Sequence, residues 1–243
     1  MSDDRRWWES AFGPDYLAVY SHRDDASAMR EAAFAARILG VEAPAHVLDA
    51  GCGAGRHARA LSAAGFRVVG ADRSIALLAE AAGRGGAAHY VAADVRTLPI
   101  RTGSLDAVVS FFSSFGYFDA DGDRRHAREM RRVLRARGGL LLDFLNAPRV
   151  AADLVPSSER RVGPRTIRET RAIRRGRVEK QVEVTEDGRT VAAWSESVRL
   201  YEREELVALL RDAGFRVVAE FGGLANVPWS ATADRLVVHA VAA

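Results

Sequence analysis

The chain has 243 residues, enough for one large α/β domain or two small ones, and either could bury a full core. Hydrophobic residues make up 48% of it, yet no run reaches the roughly 18 apolar residues of a membrane span. The opening MSDDRRWWES lacks the apolar stretch of a secretion signal, so we expect a single cytoplasmic domain. The net charge of +3 invites a nucleic-acid partner, but 34 of the 35 basic residues are arginine and only Lys180 is lysine. With the abundant alanine, that reads as GC-rich coding as much as function. Cys52 is the lone cysteine, so no internal disulfide forms, and no metal site is expected.

Residues 1–44 come first. Trp8, Phe12, Tyr16 and Tyr20 are spaced by four and lie along one helical face, interrupted by Gly13 and Pro14. The stripe is either a helical lid over a site or packing against the sheet. Residues 45–146 then alternate strand and helix. Strands are expected at His46–Asp49, Arg67–Asp72, His89–Asp94, Leu105–Phe112 and Leu140–Leu145. The intervening helices are Arg56–Ala64, stopped at Gly65, a second capped by Ser74 with Ile75, Leu78 and Ala82 on one side, and a third capped by Asp121 or Asp123. In that third helix Ala127, Met130 and Leu134 form the stripe before Gly138 and Gly139. Such alternation predicts a parallel, doubly wound sheet whose ligands sit beyond the carboxyl ends of the strands.

The loop VLDAGCGAGRHA, residues 47–58, lies at such an edge. A dinucleotide loop wants GxGxxG, whereas Gly51, Gly53 and Gly55 make GxGxG. Asp49 would sit badly beside a pyrophosphate; a carboxylate at a strand end favours a ligand bearing positive charge. Cys52 reads as a small loop residue, and His57 as facing along the first helix.

VLDAGCGAG resembles the first motif of class I S-adenosylmethionine-dependent methyltransferases. VVGAD, YVAADV, GSLDAVVSFFSSFGYF and RRVLRARGGLLLDF follow in the order that family shows. The resemblance implies a Rossmann-like, seven-stranded, mainly parallel sheet with an antiparallel last strand. It implies S-adenosylmethionine as cofactor and S-adenosylhomocysteine as product. It places Gly51, Gly53 and the peptide after Phe111 around the methionyl part, Asp72 at the ribose hydroxyls, and Asp94 and Val95 at adenine; Asp49, Cys52 and Arg73 are further expected cofactor contacts, as are Tyr16, Tyr20 and Arg23 from the lid. Asp72 alternatively caps the helix near Ser74, and Asp94 is alternatively a turn aspartate. Because the sulfonium methyl is already activated, the enzyme mainly aligns an acceptor and excludes water. Tyr117 and His22 are the candidates for proton transfer, with no dedicated base required. Trp8, Phe115, Tyr117, Phe118 and Trp229 are the candidates for acceptor binding.

Residues 160–200 depart from the bare fold, since TIRETRAI, VEKQVEVT and VAAWSESVRLY read as three strands with EDGR a hairpin turn between the last two. They are expected to form a small inserted antiparallel sheet, a substrate cover or a dimer surface. Between 160 and 180, nine basic residues face two glutamates, which keeps RNA open as an acceptor, although no aromatic residues interleave with them as single-stranded RNA binding would favour. Residues 201–243 complete the sheet with FRVVAEF and DRLVVHAVAA. The expected partner is a small-molecule acceptor for a monomer or homodimer. An RNA or protein methyltransferase, or a cofactor-binding module without transfer, are the alternatives.

Overall fold

A computed structural model describes residues 6–20 and 24–243. The aromatic N-terminal segment does not form one helix. Trp7–Glu9 make a 3-10 turn, Pro14 opens the six-residue α1 (Pro14–Val19), and α2 (Asp25–Leu39) starts where the Asp24 carboxylate accepts the Ser27 N–H and stops at left-handed Gly40. The four-residue spacing still produces a continuous line of rings. Phe12, Tyr16 and Tyr20 stand 5.1 and 4.4 Å apart in succession.

The core then alternates as expected: β1 (His46–Ala50), α3 (Arg56–Ala63), β2 (Arg67–Asp72), α4 (Ile75–Gly83), β3 (His89–Ala92), β4 (Leu105–Ser110), α5 (Ala120–Val133) and β5 (Leu134–Leu145). After an insertion come α7 (Arg203–Asp212), β10 (Phe215–Phe221) and β11 (Arg235–Ala242). The seven strands run in the order β3-β2-β1-β4-β5-β11-β10, with β11 antiparallel to both neighbours. The strands carry continuous apolar runs because the sheet is covered on both sides. Leu48, Val108, Leu140 and Leu142 face one helical layer, while Val47, Val109 and Leu141 face the other. Chain order reverses between β1 and β4, and this switch point opens the crevice that holds the site.

Three local expectations are corrected. In α4 the buried residues are Leu77, Leu78 and Ala81, while Ile75 is 74% exposed; the buried stripe is displaced because Ser74, accepting the Leu77 N–H, leaves Ile75 on the outer side of the first turn. Helix α5 is capped by Asp119, which accepts the Gly122 N–H at 2.7 Å, rather than by Asp121 or Asp123. Asp123 is buried instead, accepting from the Phe118 N–H and the Tyr201 hydroxyl. Finally, Leu134 leaves the helix and begins β5, with Gly138 and Gly139 inside that strand; Gly139 pairs with Ala107 beneath Leu39, where a Cβ would meet the leucine side chain at 2.7 Å.

The insertion follows the short helix α6 (Ala147–Asp153) and has four strands, not three: β6 (Ser157–Val162), β7 (Arg165–Arg174), β8 (Arg177–Glu186) and β9 (Arg189–Arg199), all antiparallel neighbours in sequence. Edge strand β6 has the sequence SSERRV, with no apolar alternation to mark it. The turns Arg175-Gly176 and Asp187-Gly188 both have two successive positive φ angles, the geometry that matches strand twist in a two-residue hairpin. One face of this sheet packs Ile167, Val182 and Val184 onto Val19 of α1. Tyr201, expected at the end of the last inserted strand, instead joins the main core.

Among the described residues, no helix is long and apolar enough to cross a membrane.

Candidate functional site

The site is built from the carboxyl ends of β1, β2, β3 and β4. Gly51, Gly53 and Gly55 all have positive φ, a region an L side chain enters only at a cost. Two of them are also hemmed in: a Cβ on Gly51 would meet Ser114 Cβ at 2.5 Å, and one on Gly55 the Tyr90 hydroxyl at 2.4 Å. Gly53 has only Leu77 Cδ1 at 3.8 Å, so its backbone borders open space. That space is a cavity of about 510 Å³.

Asp49 closes the floor of the cavity. It is 1% exposed, and its Oδ2 has no hydrogen-bond partner. Burial, with Asp72 nearby, pushes its carboxyl up to about 7, while the Ala58 N–H and Arg56 pull the other way. An unpartnered buried carboxylate is costly alone and strongly rewarded by a cation. Asp72 receives the Gly53 N–H at 2.8 Å on one oxygen and the Ser74 N–H at 2.9 Å on the other; burial also raises its carboxyl. It therefore shapes the loop while keeping lone pairs for a ligand, and the cap of α4 is Ser74 itself. Asp94 is held by Arg96, with Nη2 at 2.6 Å and Nε at 2.9 Å, and this ion pair keeps its carboxyl below the usual range. Arg96 in turn lies 4.1 Å from the Phe118 ring centroid. Arg73 pairs with Glu9 at 3.0 Å, tying the N-terminal turn to the end of β2. Burial raises the Cys52 thiol well above its ordinary value, the opposite of what a nucleophile needs.

Of the residues singled out from sequence, Trp8, Tyr16, Tyr20, Asp49, Gly51, Cys52, Gly53, Asp72, Arg73, Asp94, Val95, Phe111, Tyr117 and Phe118 all line the cavity. Two do not. Phe115 is fully buried behind the wall, packed on Phe144, Tyr201 and His126. Trp229 lies in a separate shallow depression, where its indole N–H donates to Asn146 Oδ1 and Arg203 stacks over it. Both stand close in sequence to loops at the sheet edge, but the chain turns their side chains away from the cavity. His22 and Arg23 lie outside the described residues.

One sequence expectation is corrected and several residues are added. His57, expected to face along the first helix, instead lines the cavity, stacked 3.9 Å from the Phe111 centroid, with Nε2 2.6 Å from Glu31 Oε2, because Glu31 on the neighbouring helix draws the ring toward it. Burial lowers its pKa against the pull of Glu31. The spacing Glu31 to His57 joins two different helices, so no local motif signals it. The wall after β4 is held by a second remote pair. Phe112 and Ser113 have φ of 52° and 62°, unusual for side chains of that kind. Asp143, 1% exposed, accepts the Phe112 N–H at 2.8 Å and Arg235 Nε at 2.7 Å, while its carbonyl accepts the Ser113 N–H. Arg235 also donates to Ser113 Oγ. From this turn Ser114 reaches back to donate to the Gly51 carbonyl at 3.1 Å.

Comparison with known proteins follows the same outline. Residues 47–138 match the family described as a methyltransferase domain. Malonyl-[acyl-carrier protein] O-methyltransferase of Pseudescherichia vulneris is 38% identical over 104 residues, covering 42% of this chain and 40% of that protein. The chain thus spans less than half the length of this curated relative. Among solved structures, an S-adenosylmethionine-dependent methyltransferase from Clostridium acetobutylicum superposes with a TM-score of 0.78 at 15% identity, covering 93% of this chain and 95% of that one. The S-adenosylmethionine-bound amino pentose methyltransferase CalS10 from Micromonospora echinaspora gives 0.70 at 23% identity, covering 94% and 96%. Residues 47–138 are thus similar to a methyltransferase domain, and the chain shares the fold of these solved S-adenosylmethionine-dependent methyltransferases.

Proposed function

We propose that the protein transfers a methyl group from S-adenosylmethionine to a small organic acceptor. The observation that carries this reading is Asp49: a buried carboxylate with an unpartnered oxygen, at the rim of a glycine loop and under a wall of aromatic rings, suits a ligand with a cationic amino-acid end. The bound cofactor would supply a methyl group already activated for displacement. Asp49 would hold its ammonium, Asp72 its ribose hydroxyls and Asp94 with Val95 its base, while the Gly53 backbone lets it approach closely. Tyr16, Tyr20, Trp8, Phe118 and Tyr117 would exclude water and shape the acceptor space. Tyr117, edge-on to Trp7 at 4.8 Å and stacked on Phe12 at 5.9 Å, fits an orienting role better than a mobile base. The acceptor's own proton would leave to solvent by the cavity mouth. A monomer or homodimer in the cytoplasm belongs to the same reading.

An RNA acceptor is disfavoured by where the arginines of the inserted sheet go. Arg160 and Arg171 share Glu169, Arg165 pairs with Glu186 and Asp15, and Arg168 with Glu159. Their charge is spent within the fold. Incubating the protein and methyl-labelled S-adenosylmethionine with a fractionated metabolite extract tests the proposal. A labelled small product is expected, and label found only in RNA or protein, or nowhere, would overturn it.

A further inference from the structure

Strand β8 contributes no residue to the cavity wall among the described residues, yet two of its cations reach the two sides of the cavity. Arg177 is largely buried, and its Nη1 donates to the Phe118 carbonyl at 3.0 Å. Its Nη2 donates to the carbonyls of Gly116, Tyr117 and Ser197 at 3.1, 2.9 and 2.7 Å, and its Nε donates to Ser197 Oγ at 2.7 Å. Three consecutive loop carbonyls converging on one guanidinium fix the direction in which Tyr117 and Phe118 leave the backbone, and only a planar fork of donors can serve them together.

On the other side is Lys180, the single lysine of the chain. Its ammonium contacts the Tyr20 hydroxyl and lies 4.6 Å from that ring's centroid and 2.9 Å from Glu196 Oε2. The Tyr20 hydroxyl donates to Glu196 Oε1 at 2.8 Å, and the Trp194 N–H donates to the same oxygen at 3.0 Å. Around this knot, α1 is fastened to the inserted sheet by Asp15–Arg165, by Arg160 donating to the Val19 carbonyl, and by the Val19 contact with Ile167, Val182 and Val184.

We propose that Arg177 and Lys180 are positioning residues: β8 sets the aromatic walls of the cavity, Tyr117 and Phe118 through Arg177 and Tyr20 through Lys180, and thereby sets how tightly the cofactor is enclosed. The inserted sheet is on this account the back plate of the lid rather than a cover that touches substrate. The inference rests on the cofactor reading above.

Calorimetry with S-adenosylhomocysteine as the probe, paired with ligand-free thermal melts, tests it. Lys180→Met and Tyr20→Phe are each expected to weaken binding by about tenfold, and the double variant no more than the worse single one, because both cut the same link. Arg177→Met is expected to weaken it by a similar factor. Arg177→Lys, which keeps the charge and not the fork, should not restore it, and stands in if Arg177→Met fails to fold. Variants that bind within about twofold of wild type overturn the inference even if they melt lower, since a merely structural role would move only the melt. Additive losses for Lys180→Met and Tyr20→Phe overturn the route through Tyr20. Wild-type protein that does not bind the probe overturns the cofactor reading, and this inference with it.

Discussion

Asp143→Asn is the sharpest test of how the cavity wall is held. The native carboxylate accepts from the Phe112 N–H and from Arg235, both within 2.8 Å; in the amide, one of those donors must face an NH₂ group that cannot accept. Removing one charge of a buried pair costs about 3–5 kcal/mol, and because Arg235 keeps 23% exposure the lower end applies. At about 2–4 °C per kcal/mol for a domain of this size, the melting temperature should fall by about 6–12 °C. Circular dichroism of thermal and urea unfolding reads the loss, and S-adenosylhomocysteine affinity should fall with it, since Phe112 lines the cavity. The double variant Asp143→Asn/Arg235→Met should lose less than the sum of the singles, the mark of a shared interaction. A drop of under about 2 °C in the single variant, or strict additivity in the double, would show that this pair does not pin the left-handed turn at Phe112 and Ser113.

Asp72→Ala should weaken S-adenosylhomocysteine binding by about 10- to 100-fold by titration calorimetry, from the loss of charge-assisted hydrogen bonds to ligand and loop; unchanged affinity would remove Asp72 from the site. Asp49 predicts a pH dependence. With its free carboxyl near 7 and a cationic ligand favouring the ionised form, affinity should be full above that pH and decline as pH falls through it, by about tenfold per unit. Asp49→Asn should bind weakly with a flat profile between pH 6 and 8, and a wild-type profile equally flat would contradict the assignment. His126 is buried between Phe115 and Phe118 with neither ring nitrogen partnered, and burial lowers it to about 3. The unfolded chain therefore takes up this proton first as pH falls below about 6.5, so stability is lost between there and about 3, by up to about 1.4 kcal/mol per unit. His126→Leu should be more stable than wild type at pH 5 in urea unfolding, with the gap widening toward acid; a constant gap would show that His126 does not carry the acid sensitivity.

What could be read from the sequence is what local patterns control. Strand–helix alternation, the glycines at 51, 53 and 55, and the aspartates at the ends of β1 and β2 are each determined within a few residues, and they outlined the parallel sheet and its crevice. Elements set by remote partners were invisible. Phe112 and Ser113 occupy a backbone region that normally advertises itself with glycine, and the groups that stabilise it lie 31 and 122 residues away. Glu31 meets His57 only because α2 packs on α3. Strand β6 has no apolar alternation, since it is an edge paired on one side. The arginine-rich run gave a net positive count in sequence, but antiparallel register sets Arg165 against Glu186 and brings Arg168 within reach of Glu159, which a one-dimensional tally cannot see. Phe115 and Tyr117 are two residues apart, yet one faces the core and the other the cavity.

On the proposed function, Asp49 and Asp72 hold S-adenosylmethionine in the cavity at the ends of β1 and β2. Titration calorimetry of the wild-type protein with S-adenosylhomocysteine, run beside NAD at pH 8, decides this. One equivalent should bind with micromolar or tighter affinity, with no comparable heat from NAD. Preference for NAD, or no heat from S-adenosylhomocysteine at about 1 mM, where even an affinity of only about −4 kcal/mol would register, would contradict it.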